Sequence, residues 1–333
     1  MIMKNFDFKN LSLVCILGLT ACSSGSDLST TVAGGGRGGT EYGFVTLSVT
    51  DAPIDYATEV WVQFDGVEFM PSSDSADQTP ILVMLDSPMT INLLELQGSK
   101  SQALLTNEIL PTGHYDWVRL MVTAVNDGVM DSYIVLDDGT VHELDMPSGS
   151  EVGLEIVGGL EVIANTPSDK TIDIDLRKSI VTNGLGEYLI QPVVSLVNNE
   201  QSGSIEGTIK LTTLLSSNCS DFNPLSGNAV YLYEGFNVSP DDEGGTGPEP
   251  KMSAMVNFDK ASSRFAYSFG YVPFGKYTAV FTCEADIDDP DVDDAINFST
   301  TRNVDITSVG VTSLGNNTFR FKGNNGNNGN NND

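Results

Sequence analysis

The chain has 333 residues, with 16 basic against 45 acidic side chains and a formal net charge of −29. That balance repels phosphate backbones and anionic lipid headgroups, so nucleic acid is excluded as a partner; cations, neutral saccharides and other proteins remain. The length points to two domains, and the two histidines make no zinc site without further ligands at suitable spacing.

The start of the chain carries Lys4 and Lys9, then an apolar run from Leu11 to Leu19, then Thr20-Ala21-Cys22. A charged region, a short apolar run and small residues before a cut describe a secretory leader. The run is too short to span a bilayer, which takes about 20 apolar residues. Leu19-Thr20-Ala21-Cys22 resembles the lipobox of bacterial lipoproteins. The resemblance implies that residues 1–21 are removed and that Cys22 becomes the acylated first residue, carrying palmitate or similar chains. The plainer alternative is an ordinary leader that ends in Cys. In Gram-negative lipoproteins a Ser after the acylated Cys, as at Ser23, usually permits export to the outer membrane. Loss of the leader leaves 14 basic and 44 acidic residues, so lipid rather than a basic patch supplies membrane contact. Cys15 leaves with the leader. Cys219 and Cys283 remain, and in an oxidising compartment the expectation is a disulfide, restricting the unfolded chain by about 4 kcal/mol.

Residues 22–42 are rich in Ser, Thr and Gly and read as a flexible tether. From Gly43 apolar residues recur with period two. Val45, Leu47 and Val49 form one such set, Val60, Val62 and Phe64 a second, and Ile172, Ile174 and Leu176 a third. Alternation of this kind predicts strands with one buried face. Asp137-Asp138-Gly139 predicts a hairpin turn. Only Leu93 to Leu110 has helical spacing, interrupted by Gly98, and allows one or two helical turns. A first, mostly β domain is expected over residues 43–198, a linker over 199–203 and a second β domain over 204–322. In the second, strands are expected at Gly203–Leu211, Ala229–Tyr233, Arg264–Phe269, Tyr277–Cys283, Asn303–Ile306 and Thr318–Phe321. Asp241 to Pro250 reads as a long acidic loop, and residues 323–333 as a disordered Asn/Gly tail.

Leu110-Pro111-Thr112-Gly113-His114-Tyr115 is echoed by Val272-Pro273-Phe274-Gly275-Lys276-Tyr277, each placing a Pro-x-Gly turn before a strand. The echo predicts two sandwiches of related design. The first half, through Val49-Thr50-Asp51-Ala52-Pro53, Glu59-Val60-Trp61-Val62 and Gly66-Val67-Glu68, resembles a bacterial lipoprotein domain of unknown function. The second half resembles the transthyretin-like, carboxypeptidase-regulatory type of β-sandwich. It does so through Gly203 to Ile209, Ala229-Val230-Tyr231-Leu232 and Phe265–Phe269 leading into Pro273-Phe274-Gly275-Lys276-Tyr277. Together they imply a mainly β chain: two Ig-like or transthyretin-like β-sandwiches in tandem behind a lipid-anchored tether, with no chemistry carried over.

Four sets of residues carry candidate chemistry. Asp51-Ala52-Pro53 with Asp55 presents carboxylates at a strand end, though a turn is the simpler account. Asp286, Asp288, Asp289, Asp291, Asp293 and Asp294 crowd one loop; hard oxygen ligands suit Ca²⁺, but EF-hand spacing fails and a solvated loop is the plainer reading. Trp61 with Gln63 and Asp65, and Trp117 with Arg119, lie opposite the Val-rich faces of their strands. They form a candidate saccharide platform, weighed against burial of both rings in the core. A glycosidase needs only two suitably spaced carboxylates, and nothing singles out a pair. The reading that follows is a non-catalytic envelope lipoprotein displaying two modules for binding or adhesion to saccharide or envelope proteins. Saccharide binding with a Ca²⁺ site is the alternative, and a carboxylate-dependent hydrolase the third.

Overall fold

The computed structural model describes residues 40–52, 54, 56–75, 77–146, 153–191, 193–219, 222–316 and 319–321. Cys22, the leader, the Asn/Gly tail, Pro53 and Asp55 lie outside them. Among the described residues no helix is long and apolar enough to cross a membrane.

Alternating residues give the first module two sheets. One holds β1 (Tyr42–Ala52), β4 (Gln102–Pro111), β9 (Pro167–Asp175) and β12 (Val194–Asn198) in the order β12-β9-β1-β4. The other contains β2 (Ala57–Pro71), β3 (Ile81–Asn92), β5 (Gly113–Thr123), β6 (Tyr133–Leu136), β7 (Val141–Asp145), β8 (Leu154–Val162), β10 (Ile180–Thr182) and β11 (Tyr188–Ile190). Its order is β10-β11-β7-β6-β2-β5-β8, with β3 on the free side of β2. Val45, Leu47 and Val49 of β1 share one core with Val60, Val62 and Phe64 of β2. The β6–β7 hairpin turns at Gly139, whose φ of 82° is readily adopted only by a residue without a Cβ.

The second module follows from β12 through a single 3₁₀ turn, Asn199–Gln201. Its strands are β13 (Ser202–Ile209), β14 (Ala229–Glu234), β15 (Met252–Met255), β16 (Asn257–Asp259), β17 (Arg264–Pro273), β18 (Gly275–Thr282), β19 (Arg302–Ile306) and β20 (Val311–Asn316). They form sheets β16-β17-β13-β20 and β15-β14-β18-β19 around a separate core that includes Phe269, Phe281 and Phe319. Cys219 and Cys283 are disulfide-bonded inside that core.

The two modules share one arrangement around the first strand and the Pro-x-Gly turn. In each, the first strand (β1, β13) pairs antiparallel with the strand before the Pro-x-Gly turn (β4, β17) and parallel with a late strand (β9, β20). The strand after the turn (β5, β18) then lies between an early and a late strand of the opposite sheet. Each turn therefore carries the chain from one sheet to the other, and the same bond fixes both: the Tyr115 hydroxyl donates to the Pro111 carbonyl and the Tyr277 hydroxyl to Pro273, each at 2.8 Å.

One expectation is met and one is corrected. The helical spacing of Leu93 to Leu110 gives one helical turn, the 3₁₀ turn Leu93–Leu96, and the rest of the stretch becomes β4. A register irregularity against β1, with Asn107 at φ 52°, lets the adjacent Leu104 and Leu105 both be buried, and such doubling imitates a helical period. No strand forms at residues 319–321; the last strand among the described residues is β20, whose polar sequence gave no alternation, while Phe319 is buried from a loop.

Candidate functional site: a cleft between the modules

A cleft of about 670 Å³ opens where the β12-β9-β1-β4 sheet meets the second module. Asp51 and Asp173 line it from β1 and β9, Gln97 to Lys100 from the loop before β4, and Glu206, Tyr267 and Ser268 from β13 and β17. Asp51 is buried by register. It continues the alternation of Val45, Leu47 and Val49, so the last step of the strand carries a carboxylate inward, and 5% of its surface remains exposed. Neither carboxylate oxygen of Asp51 has a hydrogen-bond partner, and the buried hydroxyls of Tyr267 and Ser268 also have none. Burial pushes Asp51 well above the usual carboxylate range, helped by the charges of Asp173 and Asp175. Burial, and then Asp175, lifts Asp173 to about 7, opposed by Lys251. Gly207 allows the Tyr267 ring to lie across the β13 backbone, since a Cβ there would run into the Tyr267 hydroxyl.

Beside the cleft the modules are clasped by charge. Asp175 caps the one-turn helix Leu176–Ser179, accepting from the Lys178 amide, and this presents Arg177 and Lys178 to the second module. Arg177, 5% exposed, donates to the Tyr231 hydroxyl at 2.8 Å and lies 3.5 Å from Glu243 and 3.7 Å from Asp288. Lys178 meets the other Glu243 oxygen at 2.7 Å. The Tyr231 hydroxyl in turn donates to Asp288. Burial raises Asp288 to about 6, against the lowering effects of the Tyr231 bond, the Glu243 amide and Arg177. On the far side of the cleft, Tyr271 donates to Ser101 at 2.7 Å, and Gly270 passes so close to the Gly98 carbonyl that a Cβ would collide. Sequence reasoning gave no sign of the clasp, because Arg177 and Lys178 lie more than 50 residues from the second-module groups they meet.

The other candidates are placed as follows. Trp61 and Trp117 are half-buried on the outer face of the larger sheet, neither in the core nor under a helix. Trp61 pairs with Tyr133 and Trp117 with Met70, about 25–30 Å apart along β2, so the structure does not bring the two rings together. Their neighbours are occupied with one another. Gln63 donates to Asp65, which also accepts from Thr123, while Arg119 pairs with Glu68 and Glu155 and lies 4.4 Å over Trp117. His114 is exposed near Asp116 and His142 packs on Tyr188. Of the acidic loop, Asp288 and Asp294 gather with Asp242 from the 241–250 loop, while Asp286, Asp289, Asp291 and Asp293 are exposed. Asp242 was missed because its loop is remote in sequence.

No curated protein matches the chain. Among solved structures it is similar to the TIE protein of Bacillus anthracis (12% identity, 82% of this chain and 33% of that one, TM-score 0.20). It is also similar to the minor pilin GBS52 of Streptococcus agalactiae (11% identity, 81% and 93%, TM-score 0.17) and to a fimbrial protein of Bacteroides ovatus (8% identity, 85% and 50%, TM-score 0.20). The chain spans about a third of the TIE protein, and at these TM-scores the likenesses carry no argument about function. Residues 42–192, the first sandwich, match the profile of a domain of unknown function, DUF4382.

Proposed function

We propose that this chain is a non-catalytic envelope lipoprotein, held by acyl chains on Cys22, that binds a small polar ligand, a saccharide first among them, between two fixed sandwiches. The observation that carries the reading is the cleft. Its volume falls in the range of about 300–1,000 Å³ usual for small-molecule sites, and it gathers unpartnered oxygens of Asp51, Tyr267 and Ser268. A buried polar group left without a partner costs about 1–3 kcal/mol, a penalty that a ligand rich in hydroxyls would relieve. The net negative charge disfavours anionic ligands. The clasp supports display as one body, since Arg177 fixes the walls of the cleft relative to each other.

The experiment is a glycan array followed by calorimetric titration on the detergent-extracted chain. A hit whose affinity falls about tenfold or more in Asp51→Asn and Tyr267→Phe supports the cleft. A hit unchanged in both but lost in Trp61→Ala or Trp117→Ala moves the site to the outer face of the larger sheet. Absence of any hit sinks the saccharide reading. The raised carboxylates of Asp51 and Asp173 favour a second reading, a carboxylate-dependent hydrolase, which turnover of array hits would reveal. Anchoring is checked separately. Mass spectrometry of the native terminus should find fatty acid on Cys22, and Cys22→Ala should lose its detergent partitioning.

A further inference from the structure

Two loops of the second module meet beside the clasp, 241–250 after β14 and 283–301 after β18. One carboxylate oxygen from each of Asp242, Asp288 and Asp294 lies within 4.8 Å of the others. Oxygens on a sphere about 2.4 Å from a central Ca²⁺ are separated by at most about that distance. Three carboxylates drawn so close in a half-buried place repel strongly unless something positive sits among them.

The neighbouring donors do not fill that role. Asp288 is served by the Glu243 amide, the Tyr231 hydroxyl and Arg177. Asp294 accepts from the Asp289 amide at 2.8 Å, and one oxygen of Asp242 accepts from the Asp294 amide. The second oxygen of Asp242, Oδ1, has no partner, although only 2% of the residue is exposed. A buried carboxylate oxygen without a donor, on a residue gathered with two other carboxylates, is an acceptor in want of a cation. Arg177 reaches the group through Asp288 and is shared with Glu243, while Lys178 is paired with Glu243 and Asp175. The donor set is oxygen alone, which suits a hard ion better than zinc, whose usual ligands are Cys and His.

We propose that Asp242, Asp288 and Asp294 hold one Ca²⁺ ion, which pins the 241–250 loop to the loop after β18 and so stiffens the side of the second module that receives Arg177. Water and backbone carbonyls complete the coordination. Gly244, at φ 101°, carries the first loop against the carbonyls of Pro290 and Val292, where any Cβ would collide. The ion neither needs nor touches the cleft ligand, so it stands or falls apart from the saccharide reading.

The test uses the full chain stripped with EDTA. Titrated CaCl₂ should give a calorimetric isotherm in the extracellular range, about 0.1–1 mM, and raise the melting temperature; MgCl₂ at the same concentration should do less. Asp242→Asn should weaken Ca²⁺ binding at least about tenfold, while Asp291→Asn, outside the group, should leave it unchanged. Limited proteolysis provides a second readout: cutting within 241–250 should be fast in EDTA and slowed by Ca²⁺, a contrast lost in Asp294→Asn. This variant serves if Asp242→Asn does not fold. No heat and no thermal shift with the native chain would overturn the proposal, as would an isotherm that survives intact in Asp242→Asn or Asp294→Asn.

Discussion

Asp173 shows how a single half-buried acid shapes the response of the whole chain to pH. Folded, it titrates at about 7; unfolded, near the ordinary value of about 3.9. Between about pH 4 and 7 the native chain therefore keeps a proton that the unfolded chain has released, and stability falls as pH rises through that window. Asp51 acts in the same direction. The melting temperature is expected to drop between pH 5 and pH 7.5. General repulsion among the acidic residues adds to that slope, so the informative quantity is the difference made by Asp173→Asn, which should flatten it. A variant with the native slope would remove Asp173 from the account. Asp51 was half legible in the sequence. The alternation that places Val45, Leu47 and Val49 inward extends to it, but a carboxylate before Ala-Pro reads more naturally as turn chemistry. Its burial depends on the second module covering the strand end, which no local pattern announces.

At the level of elements, sequence patterns carried furthest where they were local. The period-two runs became β1, β2 and β9, and the two Pro-x-Gly-x-Tyr hexads became matching inter-sheet turns held by the same hydroxyl–carbonyl bond. Short strands such as β10, β15 and β16 left no mark, because three or four residues are too few to show a period. The one-turn helix bearing Arg177 was equally silent, since Ile172, Ile174 and Leu176 run into it without a break in alternation. Its importance lies in what it touches. Arg177→Met would leave Glu243 and Asp288 buried together without their shared cation, a loss of about 3–5 kcal/mol by comparison with other broken buried pairs. The expected outcome in scanning calorimetry is a lower melting temperature and a separation of one transition into two, one per module. A single unshifted transition would mean that the modules are joined by other contacts.

For the whole molecule, the separate cores and the one disulfide among the described residues predict unequal resistance to reduction. Cys219 and Cys283 lie in the second core only, and closing the loop between them restricts the unfolded second module by about 4 kcal/mol. In the Arg177→Met background, where the modules should unfold apart, a Cys219→Ser, Cys283→Ser double variant should lose stability in the second module while the first keeps its own unfolding midpoint, as followed by denaturant titration with Trp61 and Trp117 as reporters. Both tryptophans belong to the first module, so a second probe such as far-ultraviolet circular dichroism should move while fluorescence stays still. If both probes shift together, contacts other than the clasp hold the two modules as a single cooperative unit.

The parallel ladder between β1 and β9 has a consequence for how the chain comes into being. Phe44 finds its neighbour at Pro167 and Ala52 at Asp175, so the opening strand stays bare along one side until more than a hundred further residues have emerged. β13 repeats the arrangement, waiting for β20. A polypeptide threaded out N-terminus first thus presents raw hydrogen-bonding edges twice in succession, each an invitation to mispairing. A product cut short before β9 should therefore clump rather than fold, which a solubility assay on such a truncation checks.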